Sequence, residues 1–199
     1  SMIESADGLT YTFKLRDHEW SDGVPVTADD FVFSFRRILD PKTAAPYASL
    51  LYPIKNAQAV NGGKMPGTAL GVRAVDSHTL EMTFEYQVPY LRQLLTHYTT
   101  FPVPKHVVEK HGDQWLQPAN IAVHGAYVLQ EWIPNDHITT VKNPRFYDAH
   151  NVRIETVNFY PSSDYASALK RFRAGDFDMM VNVPPSEIGW LRENLPGYL

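Results

Sequence analysis

The segment from Trp20 to Tyr47 constrains the fold more than any other part of the sequence. It reads WSDGVPVTADDFVFSFRRILDPKTAAPY. The dipeptide Asp22-Gly23 is typical of a tight turn, because aspartate hydrogen-bonds to nearby backbone and glycine tolerates positive φ. Thr27 is placed to cap a helix, and Asp30 three residues later makes an approximate capping box. The segment therefore predicts a turn that leads directly into a helix.

The predicted helix covers about residues 28–39 and has one apolar face. The apolar residues at helical spacing are Phe31, Phe35, Ile38 and Leu39. The pair Asp40-Pro41 ends the helix, because the residue before a proline avoids the α region. Taken alone, this pattern is typical of a surface helix packed on a sheet.

Composition excludes several functional classes. The chain has 199 residues, is 44% hydrophobic and 20% charged, and has a net charge of -4. Nucleic-acid binding needs a concentrated basic face, which this balance does not favour. No apolar run approaches the roughly 20 residues of a membrane-spanning helix. The absence of cysteine excludes a disulfide framework and a thiolate metal site.

The remaining elements alternate between strands and helices. Alternating apolar and polar residues predict strands at 10–16, 71–76, 79–85, 127–133, 137–142 and 153–160. Helical spacing and end signals predict helices at 54–60, 89–97, 105–111, from 163 or 164 to 173, and 186–193. Two hairpins are expected, with turns at residues 76–78 and 135–136. The chain is therefore expected to be α/β.

The C-terminal part is predicted to contain a βαβ unit. Residues 176–181 form the expected second strand, which would lie parallel to the strand at 153–160. Asn182 then follows at the carboxyl end of that strand, where ligands of open α/β sheets bind. Its amide offers both a donor and an acceptor. An Asx-turn into Pro184 is the alternative interpretation.

No arrangement of residues predicts catalysis or a metal site. His106 and His111 are five residues apart, which places them on different faces of a helix. The acidic pair Asp29 and Asp30 is explained by the first turn of the helix, where acids are favourable. There is no nucleophile elbow and no phosphate-binding GxxxxGK[ST] loop. We therefore expect no catalytic residues, no cofactor and no metal.

The amino-acid sequence of several segments resembles that of the family 5 extracellular solute-binding proteins of ABC importers. The motifs that show the resemblance are DGLTYTFKLR, WSDGVPVTADDFVFSFRR, DPKTAAPYAS, VPYLRQLLTH, FPVPK, HGAY and NPRFY. They extend over nearly the whole chain and are most similar to the oligopeptide-binding members. His124 departs from the pattern, since the family often has Asn or Thr before Gly125 and Tyr127.

The resemblance implies a venus-flytrap fold of the type II periplasmic-binding-protein kind, of which this chain would be a fragment. Residues 3–104 would form the small extra lobe and residues 105–199 part of a main lobe with a mixed sheet. Tyr47, His97 and Asn182 match positions that line the peptide cavity of the family. From the residues alone, Tyr47 fits equally well as an aromatic lid over the first helix, and His97 as a cation at a helix end.

The function implied by the resemblance is non-catalytic capture of oligopeptides for import. The expected partners are a peptide ligand and, through the full-length protein, a membrane permease, with no nucleic acid. The expected location is the periplasm or another extracytoplasmic space, with or without a lipid anchor. No signal peptide is recognisable, and Ser1-Met2 resembles an expression remnant, so we expect the native sequence to begin further upstream. Unpaired strand edges of the fragment favour self-association.

Several alternatives stay open. Within the family they are binders of dipeptides, glutathione, murein peptides, nickel chelates or oligosaccharides. From other classes they are a structural or interaction domain and a secreted hydrolase that uses a carboxylate pair. Turnover of peptides or glycosides would distinguish the hydrolase from the binding proteins.

Overall fold

A computed structural model of the chain describes residues 1–195 and residue 197. The chain divides into two compact units. The larger, unit 1, comprises Ser1–Glu131 and Thr139–Val157. The smaller, unit 2, comprises Trp132–Ile138 and Asn158–Leu199, within the described range. The predicted division into lobes at residue 104 concerns the whole binding protein and stays a prediction.

A four-stranded antiparallel sheet is the base of unit 1. Its strands are β1 (Met2–Glu4), β2 (Thr10–Lys14), β3 (Val72–Asp76) and β4 (Thr79–Thr83), in the order β1-β2-β4-β3. The predicted hairpin between β3 and β4 is confirmed, and Arg73 pairs with Glu81 across it at 2.6 Å. Leu80 and Met82 of β4 are buried, as their alternation predicted.

The first helix, α1 (Ala28–Leu39), begins and ends where the sequence predicted. It packs on β3 and β4, so that the core of unit 1 lies between helix and sheet. The fully buried positions of its apolar face are Ala28, Val32, Phe35 and Leu39. The observed buried face is therefore turned slightly from the predicted one. Phe31 and Ile38, which were predicted to be central, lie at its margin and are only partly buried.

The start of α1 is a capping box that also holds a distant segment. The Thr27 side chain faces the backbone N–H of Asp30, and the Asp30 carboxylate accepts the backbone N–H of Thr27 at 2.9 Å. The same carboxylate accepts the backbone N–H of Lys105 at 3.2 Å. One turn later, the Ser34 hydroxyl accepts the N–H of Val103 at 2.7 Å. These bonds join the first helix to residues 103–105.

The other helices of unit 1 are short. They are α2 (Ala57–Asn61), α3 (Leu91–Leu94) and α4 (Lys105–His111). Helix α4 has the predicted bounds. Helix α2 is shorter than the predicted 54–60, because Asn56 has a φ of +64° that no helix accommodates. Helix α3 is shorter than the predicted 89–97, because the chain is extended at His97, with φ of -79° and ψ of 136°.

The remaining strands form a second sheet. They are β5 (Tyr127–Ile133), β6 (His137–Lys142) and β7 (Thr156–Phe159), in the order β5-β6-β7. The bounds of β5 and β6 agree with the predicted hairpin, and Asn135 in its turn has a φ of +63°. Strand β7 is shorter than the predicted 153–160.

Unit 2 contains α5 (Tyr165–Ala174) and α6 (Ile188–Asn194). Asp164 caps α5 by accepting the N–H groups of Ala166 and Ser167, as predicted, and Gly175 closes it with a φ of +85°. The predicted strand at 176–181 is wrong. A strand requires a neighbour that takes its backbone hydrogen bonds, and no described strand pairs with this segment, whose Val181 side chain is 81% exposed.

Candidate functional site

Three aromatic rings meet on the surface of unit 1. The rings of Tyr47 and His97 lie 5.4 Å apart, centroid to centroid, at 65°. Tyr98 stacks on His97 at 4.3 Å and meets Tyr47 edge to face at 5.9 Å. Tyr47 and Tyr98 are 49% and 62% exposed. The structure thus brings together two of the three predicted ligand residues and adds Tyr98, which the sequence reasoning missed.

Buried neighbours anchor the backbone on both sides of this aromatic cluster. Tyr47 precedes a 3-10 turn, Ala48–Leu51, whose Ala48 and Leu51 are buried in the core of unit 1. On the other side, the buried Thr100 hydroxyl donates to the carbonyl oxygens of Leu95 and His97 at 3.1 and 2.8 Å. These contacts anchor the backbone beside Tyr47 and His97, while the Tyr47 and Tyr98 side chains are exposed.

The hydrogen bonds of His97 determine its tautomer. Its Nδ1 accepts the backbone N–H of Thr99 at 3.3 Å and also contacts the Thr99 hydroxyl. An accepting Nδ1 places the proton of the neutral ring on Nε2. The alternative role of His97, a cation at a helix end, does not fit, since α3 ends at Leu94 and His97 begins the 3-10 turn Tyr98–Thr100.

The cluster offers ring surfaces and hydrogen-bonding groups without a formal charge. Partial desolvation and the neighbouring Tyr47 phenol raise the pKa of Tyr98 above its usual value, so the Tyr98 phenol is neutral at pH 7. The available groups are the two phenol hydroxyls, which also interact with each other, the Nε2 side of the partly buried His97 and the exposed rings of Tyr47 and Tyr98. Such groups suit a ligand with polar and apolar parts, and none of them is an activated nucleophile.

Asn182 lies in unit 2, in irregular chain between α5 and α6, and its side chain is exposed. It forms no hydrogen bond within the described residues, so the Asx-turn alternative is not observed. Since the strand before it does not form, Asn182 does not stand at a strand end here. Its assignment to a ligand site remains a prediction that rests on the family resemblance.

The turn before α1 takes the predicted form. Gly23 has a φ of +89°, which only glycine adopts without strain, and its N–H donates to the carbonyl of Trp20 at 2.9 Å. Asp22 accepts the N–H of Val24 at 3.2 Å and contacts His106 Nε2 at 2.6 Å. Trp20 is fully buried. These contacts are structural; the assignment of Trp20, Asp22 and Gly23 to a motif of the family stays a prediction.

The segment around Gly125 is also structural. The Asn143 side chain donates to the carbonyl of Gly125 at 2.8 Å, and the Tyr127 hydroxyl donates to the carbonyl of Ile154 at 3.1 Å. His124 packs edge to face against Trp20 at 5.1 Å. Burial, together with the nearby His18, lowers the pKa of His124 below its usual value. This residue is therefore neutral and serves as a packing group.

Neither a metal site nor a membrane span is found in the described part of the chain. No three His, Asp or Glu side chains among these residues lie close enough to hold a metal ion. None of the helices in this part is both long and apolar enough to cross a bilayer.

Comparison with known proteins identifies the family. Residues 1–195 match the model of the bacterial extracellular solute-binding proteins, family 5 (Middle). The chain belongs to this family. The resemblance noted in the sequence is therefore confirmed.

Family 5 relatives are similar in both sequence and structure. The periplasmic oligopeptide-binding protein OppA of Salmonella typhimurium is 46% identical over 188 residues, which is 93% of this chain and 35% of the relative. The probable deoxycholate-binding periplasmic protein YgiS of Escherichia coli is 43% identical over 195 residues, 96% of this chain and 36% of the relative. The structure of Haemophilus influenzae OppA in complex with RPPGFSPFR superposes with a TM-score of 0.95 at 40% identity, covering 99% of this chain and 39% of that one.

The match to this structure confirms the predicted fold class, since the chain adopts part of a periplasmic-binding-protein fold built from helices and sheets. The family 5 chain spans about a third of the length of the curated relatives that it matches, 35% for the Salmonella protein.

Proposed function

We propose that this family 5 chain is part of the substrate-binding component of an ABC importer, and that it captures oligopeptides without catalysing a reaction. The observation that carries the proposal is the surface cluster of Tyr47, His97 and Tyr98, whose rings contact one another. Its first two residues are those that the family resemblance assigns to the peptide cavity. The similarity to an oligopeptide-binding protein supports the same ligand class.

The chemistry of the cluster suits a peptide. An extended peptide presents main-chain carbonyls and side chains of variable polarity. The His97 Nε2–H and the tyrosine hydroxyls can donate to such carbonyls, while the ring faces contact apolar side chains. Because the contacts involve main chain and broad ring surfaces, the cluster favours peptides as a class over one particular sequence.

Capture would follow from enclosure of the peptide between lobes of the full-length protein. Side chains would sit in roomy, hydrated pockets, where bridging waters adapt to different sequences. The closed complex would then be presented to a membrane permease. We place this function in the periplasm or an equivalent extracytoplasmic space, because the Salmonella and E. coli relatives are periplasmic proteins.

Murein peptides and deoxycholate are two further ligands to be tested. An E. coli relative at 40% identity is named as a murein peptide-binding protein, and another at 43% as a probable deoxycholate-binding protein. A steroid carboxylate would also lie flat on exposed aromatic rings. Competition between a tripeptide and deoxycholate separates this second candidate from peptide capture.

The experiment is a chimera in which this chain replaces the matching segment of Salmonella OppA. Calorimetric titration with tri- to pentapeptides is expected to show saturable one-to-one binding. Tyr47→Ala should weaken binding about tenfold, as expected for an aromatic anchor. Tyr86→Ala removes a similarly exposed tyrosine of unit 1 outside the cluster and serves as the matched control, with an effect below about twofold.

The chimera also tests the third predicted residue. If Asn182 pairs with the peptide main chain, Asn182→Ala should weaken binding roughly tenfold to a hundredfold, since a buried polar partner is lost. Unchanged affinity would remove Asn182 from the site. Equal affinities for the Tyr47→Ala and Tyr86→Ala variants would remove the cluster, and tighter binding of deoxycholate than of any peptide would replace the ligand class.

A further inference from the structure

A concave site lies on unit 1, between the C-terminal half of α1 and the loop that follows α2. Its volume is about 440 Å³, within the range of about 300–1,000 Å³ that small-molecule sites occupy. The residues that determine its chemistry are Phe33, Arg36, Arg37, Asp40, Met65 and Gly67. We call it the Arg36 cleft. It shares no residue with the aromatic cluster.

Arg36 is the unusual group in this cleft. Its Nε is buried and has no hydrogen-bond partner, and within the described residues its guanidinium forms neither a hydrogen bond nor an ion pair. The aliphatic stem runs along Gly67, where an added Cβ would lie 3.7 Å from the Arg36 Cγ. A buried donor on a charged group without an acceptor is costly. A ligand in the cleft would meet the other end of the group, the two Nη nitrogens, which are not among the buried atoms.

The neighbouring charges select the charge of the ligand. The Arg37 guanidinium lies over the ring of Trp115, 5.7 Å from its centroid. Asp40 also lines the cleft, and its side chain accepts the backbone N–H of Lys42 at 2.9 Å. Two arginines and one aspartate leave an excess of one positive charge, so a monoanion matches the cleft better than a dianion.

The rest of the wall is apolar. Met65 is 42% exposed, Phe33 is partly buried, and Val60 forms a buried floor. A ligand that filled this part of the cleft would therefore need an apolar body next to its charged group. A planar carboxylate also matches the fork of a guanidinium, which binds such groups through two parallel hydrogen bonds.

We infer that the Arg36 cleft binds a small monocarboxylate with an apolar body, its carboxylate on Arg36 and its body against Phe33 and Met65. This is a ligand site separate from the proposed peptide site. It does not depend on peptide binding, and the two can fail independently.

The test is a calorimetric titration of the 199-residue chain with 4-phenylbutyrate. Two probes of similar size accompany it: 4-phenylbutyramide, which lacks the charge, and phenyl phosphate, which carries up to two. We expect saturable one-to-one binding of the carboxylate, with the amide at least about tenfold weaker because a charge-assisted hydrogen bond is lost. Phenyl phosphate should be weaker than the carboxylate because of Asp40.

Two variants locate the binding. Arg36→Met keeps the aliphatic stem on Gly67 but removes all five donors, and should weaken 4-phenylbutyrate about tenfold or more. Gly67→Leu fills the cleft without changing any charge and should abolish binding. Arg153→Met removes an exposed arginine outside the cleft and controls for net charge, with an effect below about twofold. Circular dichroism confirms that each variant is folded.

Amide chemical shifts in a ¹⁵N-labelled sample give a readout that does not require a variant. The inference predicts that 4-phenylbutyrate shifts the signals of residues 33–41 and 60–67. Three results would overturn it. They are shifts centred on other residues, equal affinities for the acid and its amide, or no saturable binding at 4-phenylbutyrate concentrations up to about 10 mM.

Discussion

Replacing Asp30 with alanine should destabilise the chain far more than replacing its neighbour Asp29. Asp30 is 6% exposed, and its carboxylate accepts the backbone N–H groups of Thr27 at 2.9 Å and Lys105 at 3.2 Å. The alanine variant leaves both N–H groups without an acceptor. At about 1.5 kcal/mol for each hydrogen bond to a charged acceptor, the free energy of unfolding should fall by about 3 kcal/mol.

Asp29→Ala is the matched control, because it removes the same charge from the same helical turn at an exposed position. It should cost only about 0.5 kcal/mol, the contribution of an exposed acid near a helix N-terminus. Asp30→Asn should lie between the two, since its amide retains one accepting oxygen for two donors.

Urea unfolding, followed by far-ultraviolet circular dichroism and by tryptophan fluorescence, to which the buried Trp20 contributes, measures these differences. The midpoints should shift while the slopes stay constant. If Asp30→Ala and Asp29→Ala unfold within about 0.5 kcal/mol of each other, the link between α1 and residues 103–105 contributes nothing to stability, and the reasoning is refuted.

Three further predictions concern stability and association. Thr27→Ala should lower the free energy of unfolding by about 1 kcal/mol by removing a helix cap; an unchanged urea midpoint would contradict this. Because the pKa of His124 is lowered in the folded chain, this residue takes up a proton at a higher pH in the unfolded chain than in the folded chain. Stability should therefore fall as the pH drops through about 6.5, and His124→Gln should flatten that dependence in unfolding curves from pH 7.5 to 5. In light scattering the isolated chain should self-associate through unpaired strand edges, and in calorimetry it should bind peptides more weakly than the chimera; a monodisperse monomer with equal affinity would contradict both.

Local end signals accounted for much of the fold. Helices α1 and α4 have their predicted bounds because their ends are set by residues whose backbone preferences are strong, such as Pro41 and Gly112. The hairpin of β5 and β6 was predicted for the same reason, since Asn135 readily adopts the positive φ of its turn.

The errors lie where structure depends on distant partners. Residues 176–181 have the composition of a strand, but a strand forms only beside another that accepts its hydrogen bonds, and sequence spacing does not report that partner. The early end of α3 has a similar origin, because buried hydrogen bonds of Thr100 favour an extended backbone at His97 over another helical turn.

The candidate site was predicted in part. Sequence motifs of the family predicted Tyr47 and His97 as ligand-binding residues. They are 50 residues apart in the chain, and their rings meet in the structure. Tyr98 was missed because an exposed aromatic residue in a loop has no periodic pattern, although its position next to His97 was a usable signal. The Arg36 cleft could not be predicted, since it forms only when the loop after α2 folds against α1.

The most direct test of the central claim is a crystal structure of the OppA chimera with a bound tripeptide. The proposal predicts peptide density within about 4 Å of the rings of Tyr47, His97 and Tyr98, the contact distance of packed side chains, with a main-chain carbonyl placed to accept from His97 Nε2. Peptide density that leaves all three rings in contact with solvent only would contradict it.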